Sequence, residues 1–423
     1  MIIEPLLLDK GRGFLFVSSS QQGEYKDGSK GVQKMMIKRR VPKCAVVGIG
    51  ELAPVRYTEG ATTLGMIAEA VRLAVQDAGL EKDAIDGLLV GPQVGETPQH
   101  VPATVAEYLG LQPKMANVVD LGGATAAGMM WRAAAAIEAG MCETVVCVLA
   151  NTHEREPKAP RYPNRNPIRE FDVPFGASGA NTSYALLKQR HMAEYGSTQE
   201  DFALIAYWAR KNAQLNPAAI FYGKPVSIEE VINSPVIAAP LHLYEIVMPV
   251  AGGAAIIVTS VDAVPAGSPP PVFLLGAGEK ITHRAVSQAP SLTSGPLKHA
   301  ITAALAQAGT SVQEMDLLSL YDCYTSLLAV TLEEAGLCPP GKFGDWLREH
   351  TFGHDGDWPL NTHGGQLGFG QPDLAGGMTH IIEAVRQLRH QAHPRQIPNA
   401  RLALVTGNGA TMSEAAALVL GVE

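Results

Sequence analysis

The sequence predicts an α/β protein made of two diverged copies of one unit, each a mixed sheet covered by helices. Three observations carry this. The stretch AVRLAVQDAGLEKDAIDGLLV (70–90) aligns without gaps on AITAALAQAGTSVQEMDLLSL (300–320), at a constant offset of 230 residues. Ala78-Gly79 then fall on Ala308-Gly309, and Ile85-Asp86 on Met315-Asp316. A second pair follows in the same order: GGATAAGMMWRAAAAIEAGMCETVVCVLA (122–150) and GGMTHIIEAVRQLRHQAHPRQIPNARLALVTG (376–407) both read as glycine step, long helix and buried strand. Third, PAGSPPP (265–271) is a stiff linker that separates the copies.

Residues 1–40 lack a sustained period, and their short apolar start contains Glu4 with no cation before it, unlike a signal peptide. They are expected to be a disordered extension, or to precede an original start at Met35 or Met36. The first half is expected over 41–264. CAVVGI (44–49) reads as a buried strand. TTLGMIAEAVRLAVQDAG (62–79) reads as an amphipathic helix, with Thr62 or Thr63 as N-cap and Gly79 just past its C-terminus. DGLLVG supplies a second strand. Residues 150–245, proline-rich and then helical around 183–213, are too long for a loop and are expected to form a cap over the first half. AGGAAIIVTSV (251–261) closes that half, and 265–423 repeats the pattern.

The 423 residues are 46% hydrophobic and 17% charged, as in ordinary globular proteins. A net charge of −8, with no basic patch interleaved with aromatics, argues against nucleic acid as a partner. No apolar run is long enough to span a bilayer. The five cysteines (Cys44, Cys142, Cys147, Cys323, Cys338) show neither metal-site spacing nor a disulfide framework, which fits a reducing cytoplasm.

Four passages follow predicted strands, three of them bearing glycine: VVDLGGATAAG (118–128), LYDCYTS (320–326), NTHGGQLGFGQP (361–372) and VTGNGAT (405–411). In a duplicated α/β protein, loops at equivalent strand ends converge, so the four are candidates for one site. A two-copy chain with these passages in this order, and with FYGKPVSIEEVINSPVIAAPLHL (221–243), resembles the thiolase superfamily over about 44–423. The sterol-carrier-protein-type thiolases and lipid-transfer thiolase-like proteins are the similar members. The resemblance implies a five-layered thiolase fold and a coenzyme A thioester as substrate, with no cofactor beyond it. It also implies a homodimer, with the GGATAAGMMWRAAAA helix and the VVCVLA strand near the two-fold.

Thiolases of the family carry a nucleophilic cysteine at a helix start, where the helix N-terminus lowers a thiol pKa. The matching position here is Gly123, within Gly122-Gly123-Ala124-Thr125. The family's His-Asp-Cys-Phe reads Tyr321-Asp322-Cys323-Tyr324, its Gly-His-Pro reads Gly370-Gln371-Pro372, and its Cys-x-Gly reads Gly407-Asn408-Gly409. Nucleophile and both acid–base histidines are missing, so acyl transfer through a cysteine thioester is not expected. One branch of the superfamily lost the same cysteine and became a retro-aldolase acting on β-hydroxyacyl-CoA, with tyrosines at the positions of Tyr321 and Gln371. This chain keeps the first tyrosine, departs at the second, and keeps Asn361-Thr362-His363-Gly364-Gly365.

The expected function is therefore retro-aldol cleavage of a β-hydroxyacyl-CoA of lipid or steroid side-chain type. Tyr321 is the expected base, and His363 and Gln371 hold the thioester and its enolate. Gly122, Gly123, Ala124, Thr125, Asn361, Gly364, Gly365, Gly407 and Gly409 are expected around the substrate. A phenol titrates near 10, so lowering Tyr321 to neutrality needs about 4 kcal/mol of preferential phenolate stabilisation. His363 or backbone donors of the glycine loops are the expected sources. His363 also reads as a residue that merely holds the loop, and Asp120 and Asp322 as braces of loop backbone. Two alternatives stand beside this reading: a non-catalytic acyl-CoA-binding subunit paired with a small OB-fold zinc-ribbon protein, and a conventional acetyl-CoA acetyltransferase.

Overall fold

The computed structural model describes residues 42–92, 100–155, 170, 172–177 and 179–422. The expected extension at 1–40 lies outside them. Eleven strands and eleven α-helices are described. The first half holds β1 (Cys44–Glu51), α1 (Thr63–Ala78), β2 (Gly87–Val90), α2 (Val101–Leu109), β3 (Met115–Val118), α3 (Thr125–Glu138) and β4 (Thr144–Asn151). An insertion follows with α4 (Ala180–Tyr195), α5 (Gln199–Ala213), α6 (Ile228–Ile232) and the hairpin β5 (Val236–Ala238) and β6 (Leu241–His242), before β7 (Gly252–Ser260). The second half holds β8 (Val272–Ile281), α7 (Leu297–Ala308), β9 (Leu317–Ser319), α8 (Thr325–Glu334), α9 (Phe343–Glu349), α10 (Gly365–Phe369), α11 (Gly376–Leu388), β10 (Leu402–Gly409) and β11 (Glu414–Gly421).

The main strands run in the order β3-β2-β4-β7-β1-β8-β11-β10-β9. The order is a mirror about the β1–β8 contact, which is only two residue pairs long, Ala45 with Phe273 and Val46 with Val272. Five layers result. Helices α1 and α2 cover the outer face of the first half-sheet, and α3 and α11 lie between the half-sheets, touching strands of both. Helix α7 covers the outer face of the second, with α8 beside it. The middle layer is the densest part of the core, and twelve of the thirteen residues of α11 are buried.

The repeat is visible in atomic detail. Helix α1 starts on Thr62, whose hydroxyl accepts from the Gly65 amide, and stops on left-handed Gly79; α7 stops on Gly309 in the same conformation. Asp86 accepts from the Glu143 and Thr144 amides at 2.8 Å each, fixing the start of β4. Its counterpart Asp316 accepts from the Arg401 and Leu402 amides at 2.8 and 2.9 Å, fixing the start of β10.

Two expectations need correction. The cap does not sit over the first half: α4 and α5 pack on α8, α9 and α10 of the second. The reason is a shared apolar core in which Tyr184, Leu187, Phe202 and Ile205 of the insertion meet Leu327, Leu328, Phe343 and Leu347. A buried ion pair locks it. Lys188 Nζ lies 2.6 and 2.8 Å from the Glu245 carboxylate, which also accepts from Thr325 Oγ1 at the start of α8 (2.9 Å) and from Gln199 Nε2 (2.9 Å). Second, the VVCVLA strand, expected near a two-fold, offers no free edge to a second copy. It lies inside β4, paired on both sides, and the free edge of the first half-sheet is β3.

Candidate active site

Strand β9 ends at Ser319, and the chain crosses Leu320–Tyr324 into α8. The crossing is held from both sides. Asn361 reads the Leu320 peptide with its amide, accepting from Leu320 N and donating to Leu320 O at 2.8 Å each. The Tyr321 amide donates to Thr406 Oγ1 of β10 at 3.0 Å. The phenol is thereby aimed at the turn before α3. A Cβ added to Gly123 would lie 2.1 Å from Tyr321 Oη and 2.4 Å from both Tyr321 Cζ and Asn408 O. Tyr321 thus fills the space in which a thiolase-type cysteine would begin. Gln371 completes the contact, its Nε2 donating to Tyr321 Oη at 3.0 Å and to Asp373 O at 2.7 Å.

All four passages meet at this point. Most of the expected substrate-binding residues do other work, however. Gly409 presses on Leu121 O and Gly407 on the Ala124 backbone, where a Cβ would come to 2.1 and 2.8 Å. Gly365, at φ +58°, lies against Asp322, and Gly364, at φ +108°, against Ala213 of α5. These glycines let loops touch, and none of them leaves room for ligand on its missing side chain. Thr125 Oγ1 is taken by the Leu121 amide. Asn361 is buried with both amide atoms used, so it is a brace for Tyr321 and not a substrate contact. Gln371, expected to polarise a thioester carbonyl, has both amide protons committed to Tyr321 and Asp373. Gly122–Thr125 leads into the N-terminus of α3, the positive end of a fourteen-residue helix, with the Ala124 and Thr125 amides donating to Leu121 O and Gly122 O.

Electrostatics run against the simple general base. Burial pushes the Tyr321 phenol well above its ordinary 10, while the hydrogen bond from Gln371 pulls it weakly the other way. His363 supplies no help as a charge: it is buried, and desolvation with the nearby His380, Arg395 and Arg386 holds its imidazole well below 6.5, hence neutral. Neither of its ring nitrogens has a hydrogen-bond partner. The Cys323 thiol is pushed up to about 12 by burial, the opposite of an activated nucleophile. Asp322 accepts from the Gln366 amide at 2.7 Å and braces the loop as expected.

Sequence reasoning missed several residues. Among the described residues, every buried side-chain nitrogen or oxygen without a partner, His354 Nδ1 excepted, belongs to Asp322, His363, Gln366, Gln371, His380 or Asn408. Such atoms are rare in native cores. His380 carried no motif, and Gln366 stood within NTHGGQLGFGQP without being singled out. The available signal was polarity inside an apolar helix, since Thr379, His380, Glu383 and Gln387 of α11 are all buried. From the cap, Tyr184 stacks on Tyr324 with centroids 4.1 Å apart, accepts from Asn408 Nδ2 and donates to Ala410 O. A cleft of about 550 Å³ opens on Gln371 and Asp373, lined also by Tyr57, Asn151–Arg155, Pro249 and Val250. At this cleft Arg155 lies over the Tyr57 ring at 4.7 Å, and His153 stacks on the same ring. No cluster arranged to hold a metal ion occurs among the described residues, and none of their helices is long and apolar enough to cross a membrane.

Known proteins place this geometry in context. Residues 278–422 match the Thiolase C-terminal domain-like family. The "Steroid side-chain-cleaving aldolase" of Thermomonospora curvata is 32% identical over 86% of this chain and 95% of its own length. The "17-hydroxy-3-oxo-4-pregnene-20-carboxyl-CoA lyase" of Mycobacterium tuberculosis is 31% identical over 82% of this chain and 92% of its own. The solved "Ltp2-ChsH2(DUF35) aldolase" superposes with a TM-score of 0.81 at 32% identity, covering 90% of this chain and 98% of that one. The chain belongs to the thiolase superfamily and stands close to its aldolase branch.

Proposed function

We propose that the protein cleaves a β-hydroxyacyl-CoA by a retro-aldol reaction, without a cysteine nucleophile. The carrying observation is that Tyr321 Oη occupies the space where a side chain on Gly123 would begin, 2.1 Å from its Cβ position. Phenol and thiol exclude each other, so the duplicated frame keeps its thioester cradle and loses acyl transfer. Tyr321 takes the proton of the β-hydroxyl, the bond between the α and β carbons breaks, and the thioester enolate is stabilised by the N-terminus of α3 at Gly122–Thr125. The names of the two aldolase and lyase relatives support a steroid side chain as the acyl group, bound as its coenzyme A thioester. The cleft beside Gln371 is its entrance.

A second polypeptide belongs to the proposal, supported by the two components named in the similar solved structure; a small OB-fold zinc-ribbon protein is the partner envisaged. A homodimer is proposed through the free edge of β3, where Val118 (41% exposed) and Met141 (53%) flank a groove of about 410 Å³. The test is to incubate the purified chain, alone and with its partner, with β-hydroxyacyl-CoA substrates and to assay the released aldehyde or ketone. Release that survives Tyr321→Phe undiminished sinks the role of Tyr321.

One observation favours the non-catalytic reading: Gln371 replaces a proton-carrying residue, and its Nε2 is committed to Tyr321 and Asp373. No carbonyl release by the chain with its partner, together with tight acyl-CoA binding, would establish it. The acetyltransferase reading has no thiol at Gly123, and only a trapped acyl group on Cys323 would revive it.

A further inference from the structure

Behind Tyr321 lies a set of polar atoms that the site as described leaves unused. His380 of α11 is fully buried, with its ring centroid 6.0 Å from that of Tyr321. Its Nδ1 is 3.1 Å from Ser319 Oγ, and the Ser319 hydroxyl donates to the His380 carbonyl oxygen at 3.1 Å. With that hydroxyl proton committed, Nδ1 carries the hydrogen and Nε2 keeps its lone pair. Nε2 has no hydrogen-bond partner and faces Asp322 Oδ1 at 3.5 Å. Asp322 Oδ2 and both amide atoms of Gln366 are buried and unpartnered as well. His363 stands edge-on to His380 at 5.1 Å, again with both nitrogens unpartnered. Polar atoms so concentrated are the kind that bridge through ordered water.

We propose that His380, held against Asp322, is the proton store for Tyr321. The inference rests on the retro-aldol reading. The substrate β-hydroxyl gives its proton to Tyr321 Oη as the phenol passes its own proton through the buried polar chamber to His380 Nε2. The bond between the α and β carbons breaks, its electron pair enters the thioester enolate, and the β carbon becomes a carbonyl. The proton then returns from His380 through Tyr321 to the α carbon. One proton has moved from oxygen to carbon, and no co-reactant is needed. The imidazolium formed on the way faces the Asp322 carboxylate, and Tyr321 never exists as a free phenolate, which its burial disfavours. The other titratable groups facing His380 are Tyr321 and His363, with Arg386 and Arg395 acting beyond His363.

Two near-isosteric variants of the full chain test this. His380→Asn keeps a donor toward Ser319 and removes Nε2; Asp322→Asn keeps the acceptor for the Gln366 amide and removes the charge. With His380→Asn, kcat is expected to fall about 100-fold or more, KM to stay within about threefold, and the acidic limb of the kcat–pH profile to vanish. With Asp322→Asn that limb is expected to move down by about one pH unit, because the imidazolium loses its counter-charge. A solvent deuterium isotope effect on kcat present in the wild type and lost in His380→Asn is the third expected result. Wild-type turnover with a His380→Asn variant within threefold in kcat overturns the proton store alone. Should that variant not fold, an unmoved limb in Asp322→Asn overturns it. A wild type that releases no carbonyl product overturns the retro-aldol reading and the proton store with it.

Discussion

Placing a methyl or thiol-bearing carbon on Gly123 is the sharpest perturbation this site admits. The new Cβ would meet Tyr321 Oη at 2.1 Å, Tyr321 Cζ at 2.4 Å and Asn408 O at 2.4 Å. Ordinary contact begins more than an ångström farther out, and Asn408 O is backbone of β10, which cannot yield alone. Tyr321 must therefore move by roughly 1 Å, and its hydrogen bond from Gln371 is lost with it. Overpacking costs about 1–3 kcal/mol and an unsatisfied buried donor about 1–3 kcal/mol, so Gly123→Ala is expected to destabilise by about 2–6 kcal/mol. A phenol displaced by 1 Å is expected to lower carbonyl release about 100-fold. The assay is urea unfolding and retro-aldol turnover of Gly123→Ala, Tyr321→Phe and the double variant. Removing Oη relieves only part of the clash, so the double variant should recover some stability and no activity. The two changes should couple by more than 0.5 kcal/mol. Wild-type turnover in Gly123→Ala, or no coupling, refutes the mutual exclusion of phenol and side chain. Gly123→Cys should show the same losses and form no acyl-enzyme.

Asp86→Ala and Asp316→Ala each strip two backbone amides of their acceptor, and each is expected to cost about 2–4 kcal/mol in urea unfolding, with similar size because the two residues do the same job. Lys188→Met leaves Glu245 buried without its cation and is expected to cost about 3–5 kcal/mol, largely restored when Glu245→Gln is added. His363 gives a pH signature. Its folded pKa lies below its unfolded value near 6.5, so the unfolded chain binds the extra proton, and stability is fully present above 6.5 and lost as the pH falls. The slope is up to about 1.4 kcal/mol per pH unit, and His363→Gln should remove that one-proton component from unfolding free energies measured between pH 5 and 7.

The duplication was legible because helix ends are written locally: Ala78-Gly79 and Ala308-Gly309 mark a helix stop by the conformation glycine permits. Convergence of the loops was legible in part for a similar reason, since VVDLGGATAAG follows β3, LYDCYTS follows β9 and VTGNGAT ends β10, whereas NTHGGQLGFGQP follows only the isolated bridge at Leu360. Partner choice was not. Apolar residues of α4 and α5 such as Leu187 and Phe202 announce burial without saying against what, and they pack on the second half. The Gly123–Tyr321 contact joins residues of different copies, and no local pattern encodes it. Amides were the hardest to read, because Asn361 and Gln371 spend theirs on main-chain atoms and one phenol whose positions only the fold supplies. His380 was hidden inside a helical pattern that reads as core.

The cleft that opens on Gln371 is built unevenly. Tyr57, Asn151–Arg155, Pro249 and Val250 on its walls precede the linker at 265–271, whereas Tyr321, Asp322, His363, Gln366, Gln371 and His380 all follow it. In the proposed reaction the leading copy lines the path of the acyl chain and the trailing copy handles its protons. The insertion is knit together by Lys188 and Glu245 and tied to the second half through Thr325 Oγ1, which donates to Glu245. Chimeras joined within the proline linker should then exchange substrate preference with the donor of the leading half, while the pH dependence of cleavage travels with the trailing one.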